Sequence, residues 1–155
     1  MKILVFNETS LKFREKSIKL IANVFEKYLG DDLERKSSFD MGKDIEMNLI
    51  IKTREGIVGL NKDIFKRNYP TDVISVKNPV YMKNNNRNIG DIYISPEVIS
   101  ENAKRFDADY STELKRIIIH GILHLFGMDH TRPFPGSNEE IFDLQEYLLD
   151  ETGKE

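Results

Sequence analysis

The stretch from Ile117 to His130 reads Ile-Ile-Ile-His-Gly-Ile-Leu-His-Leu-Phe-Gly-Met-Asp-His, and it constrains the chain more than any other. Its apolar residues run almost all round a helix, so that helix belongs at the centre of the fold. Yet it carries all three histidines of the 155-residue chain. His120 and His124 sit one turn apart on one face, about 6 Å along the axis. Gly127 suits the left-handed conformation that ends a helix. The turn then brings His130 back toward the other two. Leaving imidazoles unpaired inside a buried helix is costly, and metal ligation removes that cost. Three imidazoles on one point make a zinc site with an open fourth position, the catalytic pattern rather than the closed structural one.

The spacing is that of the long zinc-protease signature H-E-x-x-H-x-x-G-x-x-H. In that signature the glutamate acts as the base, and here its place is taken by Gly121. Glycine has no side chain to serve, so ordinary zinc-peptidase chemistry is disfavoured unless another residue supplies the base.

With hydrophobic residues at 39% and charged residues at 32%, the chain reads as a single soluble domain over residues 1–155. It has no cysteine, which excludes disulfides, cysteine nucleophiles and thiolate zinc ligands and fits a reducing cytoplasm. The apolar start Met1–Asn7 is too short for a signal peptide, and no later run is long enough to span a membrane. A net charge of −3 argues against nonspecific nucleic-acid binding. The charge is uneven, however. Residues 51–90 hold eight basic against three acidic residues, and residues 136–155 hold one against seven. The first segment either meets a polyanion or is an ordinary solvated surface.

In chain order, residues 2–7 read as a buried strand and Glu15–Leu29 as an amphipathic helix stopped by Gly30. Residues 31–43 read as loop. Ile45–Ile51 is a strand, Arg54–Lys66 a helix weakened by Gly56 and Gly59, and Val73–Val76 a strand after the Pro70 turn. Residues 77–88 read as an exposed loop and Gly90–Ser95 as a strand, with Pro96 opening a helix. Ser111 is the expected cap of the histidine helix. Ser137–Glu140 forms a capping box for the last helix, whose apolar side carries Ile141, Leu144, Tyr147 and Leu148. The whole predicts an α+β domain: a mixed sheet of about four strands covered by helices on one side, with the central helix carrying the metal ligands.

The segment from His120 to His130 resembles the H-G-x-x-H-L-x-G-x-D-H signature of the YbeY family, bacterial single-strand-specific endoribonucleases implicated in ribosomal RNA maturation and ribosome quality control. Leu60-Asn61 followed by Pro70-Thr71-Asp72-Val73-Ile74-Ser75 resembles the family's L-N…P-T-D-V-L-S segment, and Gly90–Ser95 resembles its G-D-I-x-I-S strand. The resemblance covers roughly residues 45–150. It implies one Zn2+ per chain, held by His120, His124 and His130, and single-stranded or ribosomal RNA in a basic cleft. It also implies a ribosomal subunit as partner, with neither DNA nor membrane. The family usually carries an arginine in Y-R-G-x-D-x-P-T-D. Aligned without gaps, that position is Phe65; a short deletion aligns Arg67 instead. The family's S-F-P also reads Ser75-Val76-Lys77 here.

The chemistry expected is metal-assisted phosphodiester hydrolysis resting on His120 and Arg67. Arg67 is the expected phosphate clamp, because its fork matches phosphate bidentately, with Lys66 beside it. Arg116, one turn before His120, either contacts substrate or pairs with a carboxylate. Asp129 either orients a ligand histidine or caps the turn. Asp91 is either a base or hydrogen-bond partner near the site or simply opens its strand. Tyr69 and Tyr93 either stack on unpaired bases or pack. Two other readings compete: a small zinc hydrolase or protease, and a noncatalytic ribosome-assembly factor with a structural zinc.

Overall fold

The computed structural model describes residues 1–31, 45–79, 87–129 and 140–154. His130, the capping residues Ser137–Glu139 and most of the two expected loops lie outside the described residues. The elements follow the expected order: β1 (Lys2–Asn7), α1 (Lys16–Asp31), β2 (Glu46–Ile51), α2 (Arg54–Phe65), β3 (Val73–Lys77), β4 (Asn88–Ile94), α3 (Pro96–Arg105), α4 (Tyr110–Leu125) and α5 (Ile141–Lys154). Gly30 does not stop α1, which runs on to Asp31; glycine permits a left-handed stop but does not compel one.

The strands form one mixed sheet in the order β1-β2-β4-β3. β1 and β4 both run parallel to β2, and β3 closes the edge antiparallel to β4. Paired residues share a face of the sheet, so the register sorts the strand side chains. Met47, Leu49, Ile51, Ile92 and Ile94 point into the main core, all at most 1% exposed. That core is closed by Ile18, Ile21, Val24 and Phe25 of α1, by the apolar face of α4, and by Ile141, Leu144 and Leu148 of α5.

Helices were expected on one side only, and the structure differs. Ile57 of α2 and Val98 of α3 pack with Ile74, against Leu60, Val76 and Tyr93, in a second cluster on the opposite face. The reason is visible in the strands. Ile74 and Tyr93 are register partners facing away from the main core, and an apolar patch there needs cover.

Local caps set the helix ends. Thr53 accepts a hydrogen bond from the Gly56 amide at 3.0 Å and opens α2. Asp109, not Ser111, caps α4, accepting from the Thr112 amide at 3.0 Å. Ser111 already lies inside the first turn, and a carboxylate adds favourable charge at the helix N-terminus. α2 is capped by Lys66, which holds a left-handed conformation at φ 59°. That conformation costs a residue with a Cβ about 1–2 kcal/mol. Lys66→Gly therefore raises stability, by up to about 1 kcal/mol after glycine's larger unfolded entropy is deducted. Lys66→Ala, which keeps the Cβ, does not; urea unfolding of the two variants separates them.

Candidate metal centre and its cleft

α4 lies close on the sheet because of what Gly121 lacks. A Cβ at Gly121 would sit 2.9 Å from Ile92 Cγ2 and 3.2 Å from both Ser75 Oγ and Val73 Cγ2. The Ser75 hydroxyl also donates to the Gly121 carbonyl at 3.1 Å. This contact turns the neighbouring positions, His120 and His124, to the flank of the helix, where both line a cleft of about 670 Å³. The position of a protease glutamate is thus occupied by the sheet.

The two imidazoles meet edge to face, with His120 Nε2 and His124 Nε2 2.9 Å apart. Each ring's other nitrogen faces an acceptor: His120 Nδ1 lies 2.7 Å from Gln145 Oε1, and His124 Nδ1 lies 2.9 Å from the Met128 carbonyl. Both acceptors require a proton on Nδ1, which leaves an unprotonated Nε2 on each neutral ring. Two lone pairs at this separation repel unless a cation lies between them. Nitrogens each about 2.0–2.1 Å from one zinc ion must lie within about 4 Å of each other, and this pair does. The donor set therefore fits a metal, with His120 and His124 as two ligands. Among the described residues no third His, Cys, Asp or Glu completes a cluster; the expected third ligand, His130, lies outside them.

The turn after α4 builds this geometry. Gly127, at φ 94°, takes the left-handed conformation expected of it. Its amide donates to His124 O at 3.0 Å, and the Met128 amide donates to Leu123 O at 3.0 Å. This is a Schellman end, with Met128 and Leu123 buried against the core. The carbonyl of that same Met128 then holds the His124 ring.

Arg67, Lys77, Asp72, Asp129 and Phe65 line the cleft with the histidines. Arg67 lies just past the left-handed turn at Lys66, with its guanidinium 5.7 Å from the Phe65 ring centroid. Buried Asn61 donates to the Tyr69 carbonyl at 2.9 Å and ties down the segment that carries Arg67. Burial pushes the Asp72 carboxyl above the usual range, against hydrogen bonds that include one from Asn102.

Other expected residues fall elsewhere. Lys66 donates to the Asp63 carbonyl at 3.1 Å and does not line the cleft. Arg116 pairs with carboxylates, those of Glu113 and Glu146. Asp91 faces the opposite side of the sheet, bonded to Asn48 at 2.7 Å and to Tyr93 at 3.3 Å. Strand alternation carries it and Tyr93 away from α4, so neither reaches the histidines. Asp129 lines the cleft, but the acceptors for His120 and His124 are Gln145 and Met128.

Lys77, Asp72 and Gln145 were not singled out from sequence as site residues. Lys77 stands where the resemblance expects proline, and Asp72 sits inside the P-T-D segment. Gln145 is a polar residue on an apolar stripe, between Leu144 and Leu148.

Over residues 7–153 the sequence matches the family described as Endoribonuclease YbeY. The chain belongs to the Endoribonuclease YbeY family. It is 33% identical to Endoribonuclease YbeY of Thermotoga neapolitana over 130 residues, covering 83% of this chain and 81% of that one. It is 40% identical to the Treponema pallidum protein of the same name over 108 residues, covering 67% and 66%. The solution structure of TM1509 from Thermotoga maritima is 30% identical and superimposes with a TM-score of 0.58, covering 98% of this chain and 89% of that one. Family membership makes the chain a ribonuclease, and so a hydrolase acting on RNA, within a family of metalloproteins. No helix among the described residues is long and apolar enough to cross a membrane.

The Gly121 contact is testable. Gly121→Ala overpacks the α4–sheet interface and lowers stability by about 1–3 kcal/mol. The expected reading is a lower urea midpoint with an unchanged slope.

Proposed function

We propose that this YbeY-family chain cleaves single-stranded RNA at a zinc centre held by His120, His124 and His130, in maturation and quality control of ribosomal RNA on a ribosomal subunit. The observation that carries the reading is the pair of Nε2 atoms 2.9 Å apart, each on a ring whose Nδ1 already has an acceptor. Zinc bound there supplies Lewis acidity toward a phosphate oxygen and toward water.

The protein's own groups do the rest. Arg67 grips a phosphate with its planar fork, and Lys77 adds a point charge from the β3 side of the same cleft. Phe65 is 46% exposed, which leaves a ring face for an unpaired base to stack on. Gly121 offers no base, which favours a phosphodiester over a peptide as substrate.

Purified protein loaded with one zinc per chain is expected to cut a single-stranded ribosomal RNA fragment. His124→Ala binds zinc weakly and loses cleavage, and zinc raises the melting temperature of the wild type but not of this variant. Arg67→Ala lowers the cleavage rate roughly 10²–10³-fold, the usual scale for removing one preorganised charge-stabilising donor. Zinc-loaded wild type that binds RNA without cutting it would overturn the reading in favour of an assembly factor.

Lys77 gives a separate test. Lys77→Ala weakens RNA binding similarly across sequences, and the slope of log affinity against log salt falls by about 1. An unchanged slope over several salt concentrations removes Lys77 from the RNA path.

A further inference from the structure

We propose that Gln145 is a positioning residue for the metal ligand His120, and that Glu146 and Arg116 lock it in the orientation that keeps His120 Nε2 unprotonated for ligation. The inference rests on the metal reading of the histidine pair and concerns residues that do not touch the metal.

Gln145 is 5% exposed, on the stripe of α5 that also carries Ile141, Leu144 and Leu148. An amide in such surroundings is costly unless its donors and acceptor are used. Its oxygen takes the proton of His120 Nδ1 at 2.7 Å, and its nitrogen donates to Glu146 Oε1 at 3.0 Å. The same carboxylate oxygen accepts from Arg116 Nε at 2.8 Å. Arg116 also bonds Glu113, one helical turn back on α4.

This chain of bonds has a direction. Turning the amide over would set its oxygen against the Glu146 carboxylate, acceptor facing acceptor. It would also present an N–H to His120 Nδ1, which would then have to accept and move its own proton to Nε2. A protonated Nε2 cannot bind metal. The carboxylate of Glu146, held by Arg116, therefore selects the histidine tautomer through the intervening amide. Outer acceptors on ligand histidines are commonly carboxylates. Here a neutral amide does the work, and the charge sits one residue further out.

The geometry also gives Arg116 a function at a distance. It lies one turn before His120, yet its guanidinium is turned to the α4–α5 contact instead of the cleft. Glu113 holds it along α4, and its bond to Glu146 links the helix that bears the histidine to the helix that orients it.

The test uses zinc alone as the probe, with affinity read by competition against a chromophoric chelator. Gln145→Met fills a similar volume without the acceptor. It is expected to bind zinc 10–100-fold more weakly than the wild type and to shift the d–d absorption bands of the cobalt-loaded protein. Glu146→Gln, at a residue whose side chain is 53% exposed, keeps the fold should the buried change disturb it. It leaves the Gln145 amide free to turn and is expected to weaken zinc binding by at least roughly threefold, a small part of the same outer-shell range. Wild-type affinity and an unshifted cobalt spectrum in both variants would overturn the proposal while leaving the metal reading intact. Equal zinc binding by wild type and His124→Ala would overturn the metal reading and this inference with it.

Discussion

The close approach of α4 to the sheet at Gly121 governs the site. With no side chain at that position, the helix settles so near the sheet that even a Cβ there would crowd Ile92, Ser75 and Val73. The hydroxyl of Ser75 locks the height by donating to the Gly121 carbonyl. Residues on either side of a helix's contact line are turned to its flanks, and on one flank lie His120 and His124. A single small residue thus sets how near the helix lies and which way its histidines face. It also separates this site from a zinc protease sharing the same histidine spacing, since the space a glutamate would need belongs to the sheet. The absence of the base and the packing of the fold are one fact.

The two histidines are oriented by independent means, which matters for a pair whose rings touch. His124 is held locally, by the carbonyl of the turn that ends its own helix. His120 is held from a distant part of the chain, by Gln145 on α5. A loose ring on either side would let one Nε2 take a proton and bond its neighbour. With both Nδ1 protons committed, the neutral pair is left with two facing lone pairs. That arrangement suits a cation between them. Polar Gln145 stands on the otherwise apolar stripe of α5 to make that contact.

Legibility from sequence tracks how local each cause is. The order of elements, the buried character of α4, the glycine turn at Gly127 and the shared face of His120 and His124 follow from periodicity and short-range geometry, and the structure agrees with each. Long-range facts were out of reach. Nothing local indicates that β4 inserts between β2 and β3, or that α2 covers the other face. For that reason the two readings of Asp91, near the site or simply opening its strand, are not separable in sequence, and only the strand register shows it turned away. Gln145 and Arg116 become meaningful only once α5 is seen to lie against α4. Sequence points to Ser111 as the cap of α4 and the structure to Asp109, because both are good caps and only the path of the chain decides between them. Tyr147, expected on the apolar side of α5, is 51% exposed and tilts against Tyr28 at 6.0 Å, since it flanks the buried stripe instead of lying on it.

The departure from the family at Phe65 shows why an alignment and a structure can disagree without either being at fault. A gapless alignment puts phenylalanine where an arginine is usual, and a short deletion puts Arg67 there. In three dimensions the two positions are neighbours. α2 ends at Phe65, the left-handed turn at Lys66 reverses the chain, and Asn61 pins the segment beyond by the Tyr69 carbonyl. The guanidinium of Arg67 then comes back over the ring of Phe65. Position in a cleft is set by where the end of a side chain arrives, not by where its Cα stands in the chain. A residue two places along, after a reversal, can bring its charge beside the earlier position. The aromatic ring beneath gives that charge a surface to lie on, so Phe65 and Arg67 act as one unit at the wall of the cleft.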